Sequence, residues 1–68
     1  MPAYRLEMYK EPVAPSMALE GLGTVGFEAS DNAAAITIVR KMFPRRLAAC
    51  DYAAVWNADH VLIWNKLN

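Results

Sequence analysis

Polar and apolar residues alternate along residues 3–9: Tyr4, Leu6 and Met8 fall on one side, Arg5 and Glu7 on the other. A period of two predicts a strand with one buried face. Pro12 and Pro15 then interrupt regular structure, and 10–23 reads as a long connection. It has room for one helical turn, with Ser16 as cap and Gly21 as stop. Alternation returns at 24–29, with Val25, Phe27 and Ala29 inward and Thr24, Gly26 and Glu28 outward, which predicts a second strand with a solvated face. Ser30, Asp31 and Asn32 all carry side chains that cap free backbone N–H groups at a helix start. Ala35, Ile36, Val39, Met42 and Phe43 follow at helical spacing, predicting a helix over 33–43. Pro44 ends it, because the residue before a proline resists helical geometry.

Two more apolar runs, 52–57 and 61–66, flank Asn57-Ala-Asp-His60 and predict a β-hairpin. That tetrapeptide suits a type I turn closed by a left-handed residue. The closing residue would be His60, and histidine tolerates positive φ better than most non-glycine residues. If the loop has an even residue count, Trp56 faces Val61. Tyr52, Ala54, Trp56, Val61 and Ile63 then share one face, and Ala53, Val55, Leu62 and Trp64 share the other. Both faces are apolar, and a single helix covers only one.

The expected fold is therefore α+β: a small antiparallel sheet in ββαββ order with one helix packed on one face, forming a single domain over 1–68. The core is expected to hold Leu6, Met8, Val25, Phe27, Ile36, Val39, Phe43, Trp56 and Ile63. The second hairpin face is expected to be an interface built on Val55, Leu62 and Trp64. Its cover would be a second copy in a homodimer, another protein, or Val13, Met17, Leu19 and Leu22 of the 10–23 connection.

Composition sharpens this picture. A chain of 68 residues buries only about 60% of the surface its unfolded form exposes. Small domains compensate with disulfides, a structural metal or association. Cys50 and His60 are the only Cys and His, so no disulfide closes within the chain and a four-ligand zinc site is nearly ruled out. Tight packing or association remains, and a 56% hydrophobic composition with two Trp suits both.

Formal net charge is zero, which gives no global pull toward nucleic acid or an anionic membrane. The charges are unevenly spread, with carboxylates dominating residues 1–31 and cations dominating 32–68. No apolar run follows a basic start, and nothing approaches the roughly 20 apolar residues of a membrane-spanning helix. The expected setting is cytoplasmic, with Cys50 reduced.

Three candidate sites weigh unequally against simpler roles. Gly21-Leu-Gly-Thr-Val-Gly26 spells G-x-G-x-x-G, but a dinucleotide site needs its last glycine at a helix start. Here that glycine falls inside an expected strand, so a turn or bulge is the better reading. Cys50, Asp51 and His60 are the parts of a thiol-nucleophile site. The hairpin sends His60 to the far tip, roughly 20 Å from Cys50 at about 3.3 Å per residue, so Cys50 reads as a small buried hydrophobe. Arg40, Lys41, Arg45 and Arg46 form the only charge cluster, a possible nucleic-acid contact. The simpler role is that of solvated cations complementing a helix C-terminus. No catalytic residue, cofactor, metal or small-molecule substrate is expected. The function expected is that of a non-enzymatic protein-interaction module: an inhibitor, an adaptor or an assembly subunit. The alternative is a nucleic-acid-contacting regulator using Arg40–Arg46.

Residues 25–64 carry a resemblance. Phe27-Glu-Ala-Ser-Asp-Asn-Ala-Ala-Ala-Ile36, Cys50-Asp-Tyr-Ala-Ala-Val-Trp56 and Val61-Leu-Ile-Trp64 resemble short bacterial or phage-encoded proteins with one helix on a small sheet, to which no activity is attached. Such proteins often place a glycine in the hairpin turn where this chain has His60. Phage inhibitors of bacterial defence, small anti-CRISPR proteins among them, are similar in size and architecture, which is likeness of fold alone.

Overall fold

The computed structural model describes residues 1–10 and 20–67. Four strands and two helices follow in the order β1 (Ala3–Lys10), β2 (Glu20–Glu28), α1 (Asn32–Met42), α2 (Pro44–Ala49), β3 (Tyr52–Trp56) and β4 (Leu62–Leu67). The strands form one antiparallel sheet, ordered β2-β1-β3-β4. This is the expected small α+β fold with one main helix; a short second helix is added. Of the turn expected at 16–21, residues 16–19 lie outside the described residues, and Glu20 and Gly21 belong to β2. The cover expected from Val13, Met17 and Leu19 lies outside them too.

The two-residue period of β1 does what it predicts. Tyr4, Leu6 and Met8 are buried, and Arg5, Glu7 and Tyr9 face the other way. Pairing in register carries each face across the sheet: Leu6 sits opposite Val25 and Val55, and Met8 opposite Ala53. The helix-covered side thus holds Tyr4, Leu6, Met8, Ala53 and Val55, with Ala29, Ala35, Val39 and Cys50 completing the core. The Tyr4 ring stacks on Phe27 with centroids 5.8 Å apart, and its hydroxyl donates to Asn32 Oδ1 at 3.0 Å. This contact fixes the start of α1 over the sheet.

Asp31 is the N-cap of α1, its carboxylate accepting from the Ala34 N–H at 2.8 Å. The face α1 buries is rotated from the expected stripe. Ala35 and Val39 are buried, Ala34, Ile38 and Phe43 pack on the core, and Met42 is 70% exposed. Ile36, expected in the core, instead lies toward a shallow depression with Thr37, Arg40 and Lys41. Residues 33–39 are apolar apart from Thr37, so periodicity alone leaves the rotation open, and the Asp31 and Asn32 contacts decide it.

Pro44 ends α1 as expected and also opens α2. Its missing N–H costs nothing at the first helical position, where φ is already suitable. The C-terminal end of α2 is held from below by Lys66 of β4, which points to the core side. Its Nζ donates to the carbonyls of Leu47 and, at 3.0 Å, Cys50. A cation at a helix C-terminus satisfies carbonyls that have no partner within the helix.

Candidate functional site: the open face of the sheet

The register of β3 on β1 decides which β3 side chains face the side that neither helix covers, and the last hairpin decides which β4 side chains join them. Asn57 pairs with Val61, its N–H donating to the Val61 carbonyl at 3.0 Å, and His60 N–H returns to the Asn57 carbonyl at 3.1 Å. Asn57 Oδ1 accepts from the N–H groups of Asp59 and Val61, both at 2.9 Å. His60 has φ 61° and is exposed, as the turn chemistry predicts. The loop between paired residues is therefore 58–60, an odd count, and Trp56 sits opposite Leu62 rather than Val61. The register then shifts at once: Val55 pairs with Trp64, leaving Ile63 as the extra residue of a β-bulge.

Pairing with β1 puts Ala53 and Val55 beside Met8 and Leu6 on the helix-covered side and Trp56 beside Arg5 on the other, the reverse of the cover expected from the sequence. The odd loop moves Leu62 to the Trp56 side, and the bulge returns Trp64 to the Val55 side. Val55 is fully buried in the core, and Trp64 and Ile63 pack against that core from the helix-covered side. Val55 is therefore not available as the interface surface expected of it, and Trp64, half-buried, lies on the side that the helices cover. Leu62 alone of that trio faces away from the helices, and it is 44% exposed. Trp56, expected in the core, lies on the open face beside it.

The open face consists of two adjacent rows across the strands. One row reads Gly26, Arg5, Trp56, Leu62; the next reads Thr24, Glu7, Ala54, Asn65. Tyr9 and Tyr52 sit side by side beyond the second row. Arg5 Nε lies 2.9 Å from Glu7 Oε2, with their side chains 38% and 20% exposed. That N–H is not aimed well enough at the carboxylate to make a hydrogen bond, so the contact is an ion pair. Tyr9 donates its hydroxyl to Glu7 Oε1 at 3.1 Å. Burial pushes the Tyr9 phenol above its ordinary range, helped by this hydrogen bond and by the Glu7 charge. Trp56 Nε1 is shielded from solvent and has no acceptor among the described residues. An indole donor left in that state costs about 1–3 kcal/mol.

The other candidates take simpler places. Gly21, Gly23 and Gly26 all lie in edge strand β2, and none opens a helix. Gly23 has φ 138°, a conformation suited to glycine, where the β1–β2 register shifts. The Cys50 thiol is buried and donates to the Leu47 carbonyl at 3.4 Å, at the end of β3 remote from the hairpin tip that carries His60. Arg40, Lys41, Arg45 and Arg46 are brought together at the α1–α2 corner, all exposed. Arg46 lies over the Phe43 ring, 5.8 Å from its centroid. None of the four has an ion-pair partner among the described residues. Also among the described residues, no three His, Cys, Asp or Glu side chains group to hold a metal ion, and no helix is long and apolar enough to cross a membrane.

Compared with known proteins, the chain matches no family model, no curated protein and no solved structure.

Proposed function

We propose that this protein is a non-enzymatic interaction module, an inhibitor, adaptor or assembly subunit, whose contact surface is the open face of its sheet. The observation carrying this reading is the apolar centre of that face: Trp56 beside exposed Leu62, with Tyr9 and Tyr52 flanking, on a side that neither helix covers. Burial of a large apolar side chain contributes roughly 1.5–3 kcal/mol, a large share of the roughly 3–5 kcal/mol that a core this small supplies. Aromatic residues at a patch centre are also the usual anchors of protein interfaces. An inhibitor of a bacterial system, of the kind phages encode, suits the chain's size and architecture.

The test is photo-crosslinking inside expressing cells from a benzophenone side chain placed at Leu62, compared with one placed at Arg40. Protein adducts from position 62, lost on Trp56→Glu, are the expected result. Absence of any protein adduct from position 62 in a folded chain would refute the reading.

The second reading is nucleic-acid contact through the α1–α2 corner, favoured by exposed Lys41, Arg45 and Arg46 around a shallow groove of about 350 Å³ that also holds Met42 and Pro44, with exposed Arg40 on the last turn of α1. Reversing Arg45 and Arg46 to Glu would abolish steeply salt-dependent DNA or RNA binding under this reading. It would leave the crosslinks from position 62 unchanged.

A further inference from the structure

The open face is complementary to itself, and we infer that its occupant is a second copy of this chain, packed face to face across a two-fold axis. The inference rests on the interaction-module reading and specifies its partner. The axis lies in the plane between the two sheets, perpendicular to the strands, and passes between the two rows of the open face. Such an axis lays each row on the other row of the second copy. Arg5 then meets Glu7, Trp56 meets Ala54, and Gly26 meets Thr24. Every central pair is matched, cation on carboxylate and large on small.

A two-fold interface must be self-complementary in this way, because each contact is made twice. The central columns, Arg5–Glu7 and Trp56–Ala54, lie closest to the centre of the face, about which packed sheets rotate. The roughly 30° rotation between aligned packed sheets therefore displaces them least. The ion pair already present within one chain becomes a four-charge network that stays neutral, so no charge is left unmatched on closure. An acidic or a basic partner would match one of these charges and oppose the other.

Extent is close to what a specific interface needs. Strands of 8, 9, 5 and 6 residues at ~3.3 Å per residue and ~4.8 Å spacing give a flat area of roughly 440 Å² per copy. Two copies thus reach about 900 Å² before side-chain relief is counted, near the ~1,000 Å² at which specific interfaces begin.

Sedimentation of the intact chain tests the arrangement through its charges. Wild type at about 100 μM is expected to sediment as a dimer. R5E places four carboxylates at the centre and E7R places four cations there, so each alone is expected to weaken association at least ~100-fold. Mixed one to one, the two variants regain opposite charges at every contact and are expected to form a heterodimer, detected by native mass spectrometry. The R5E/E7R double variant is expected to dimerise like wild type. If either single variant fails to fold by circular dichroism, Ala54→Trp takes its place. It adds bulk where Trp56 of the second copy would sit and is expected to give a folded monomer.

A monomeric wild type at this concentration overturns the inference, as do single variants that remain dimeric or a mixture that does not associate. A monomer whose Trp56 resists acrylamide quenching also overturns it and gives the cover to the chain's own residues. Any such result leaves the position-62 crosslinks to another protein unaffected, so failure of this inference is distinct from failure of the interaction-module reading.

Discussion

Val55 and Trp56 are adjacent in the chain yet should respond oppositely to truncation, because the register of β3 on β1 sends one into the core and the other onto the open face. Val55→Ala removes two methyl groups from a fully buried site. At about 0.8 kcal/mol per buried carbon the transfer loss is ~1.6 kcal/mol, and the residual cavity raises it to about 2–3 kcal/mol. Trp56→Phe removes part of a half-buried ring, a loss of about 1 kcal/mol. It also removes the shielded Nε1 donor that lacks an acceptor among the described residues, a gain of about 1–3 kcal/mol. The expected net effect runs from about zero to 2 kcal/mol of stabilisation. In a domain of this length 1 kcal/mol moves Tm by roughly 4–8 °C, so Val55→Ala should melt ~8–24 °C below wild type and Trp56→Phe at or above it. Urea and thermal unfolding by circular dichroism at about 1 μM, a concentration chosen to limit any contribution from association, measures both. A reversed order, with Trp56→Phe costing 2 kcal/mol or more and Val55→Ala tolerated, would refute the face assignment and remove the basis of the open-face site.

Lys66→Met keeps the aliphatic stem but loses the charge-assisted bonds to the Leu47 and Cys50 carbonyls. It is expected to cost about 1–2 kcal/mol and to raise amide exchange in α2 before the strands. His60→Gly is expected to be as stable as wild type or slightly more so, since φ 61° suits glycine; a loss above about 1 kcal/mol in urea unfolding would reveal a side-chain contact. Tyr9 has a raised phenol pKa, so its contribution is present below the ordinary value of about 10 and lost as pH rises through the folded value. Stability should fall at that alkaline edge in wild type and less in Tyr9→Phe. Glu7→Gln should lower the Tyr9 pKa, followed by NMR of labelled tyrosine, because it removes the Glu7 charge that helps hold the pKa up.

The elements were legible where a local signal sufficed. The alternation at 3–9, the cap at Asp31 and the turn at Asn57–His60 each depend on residues within a few positions, and each appears as read. Which face of the hairpin is covered was not legible, because it depends on how β3 pairs with β1, a contact distant in sequence. A one-residue slip of that pairing exchanges both sides, and both sides of 52–64 are apolar enough to accept either arrangement. Asn57 contained the signal for Leu62 alone: its side chain closes the loop onto Asp59 and Val61, which makes the loop odd. The candidate surface moved with the β1–β3 register, retaining Leu62 and taking Trp56 in place of Val55. Helix α2 was missed because Pro44 was read only as a stop, although proline also suits a first helical position.

The bulge in β4 also bears on how the molecule meets others. A four-stranded open sheet offers two edges as well as a face, and an exposed edge invites strand addition. On β4 the edge is interrupted by the Ile63 bulge, and Lys66 turns inward to α2. Bulges and inward-pointing charges are two of the devices that discourage edge pairing. On β2 the edge carries three glycines and a register shift at Gly23, which weakens a regular ladder. With both edges discouraged, contact falls to the face, where Trp56 and Leu62 are offered side by side. A short β-strand peptide complementary to β4 should therefore fail to bind under conditions where the face associates. Binding of that peptide with new backbone hydrogen bonds to β4, seen by NMR, would move the contact surface from the face to the edge.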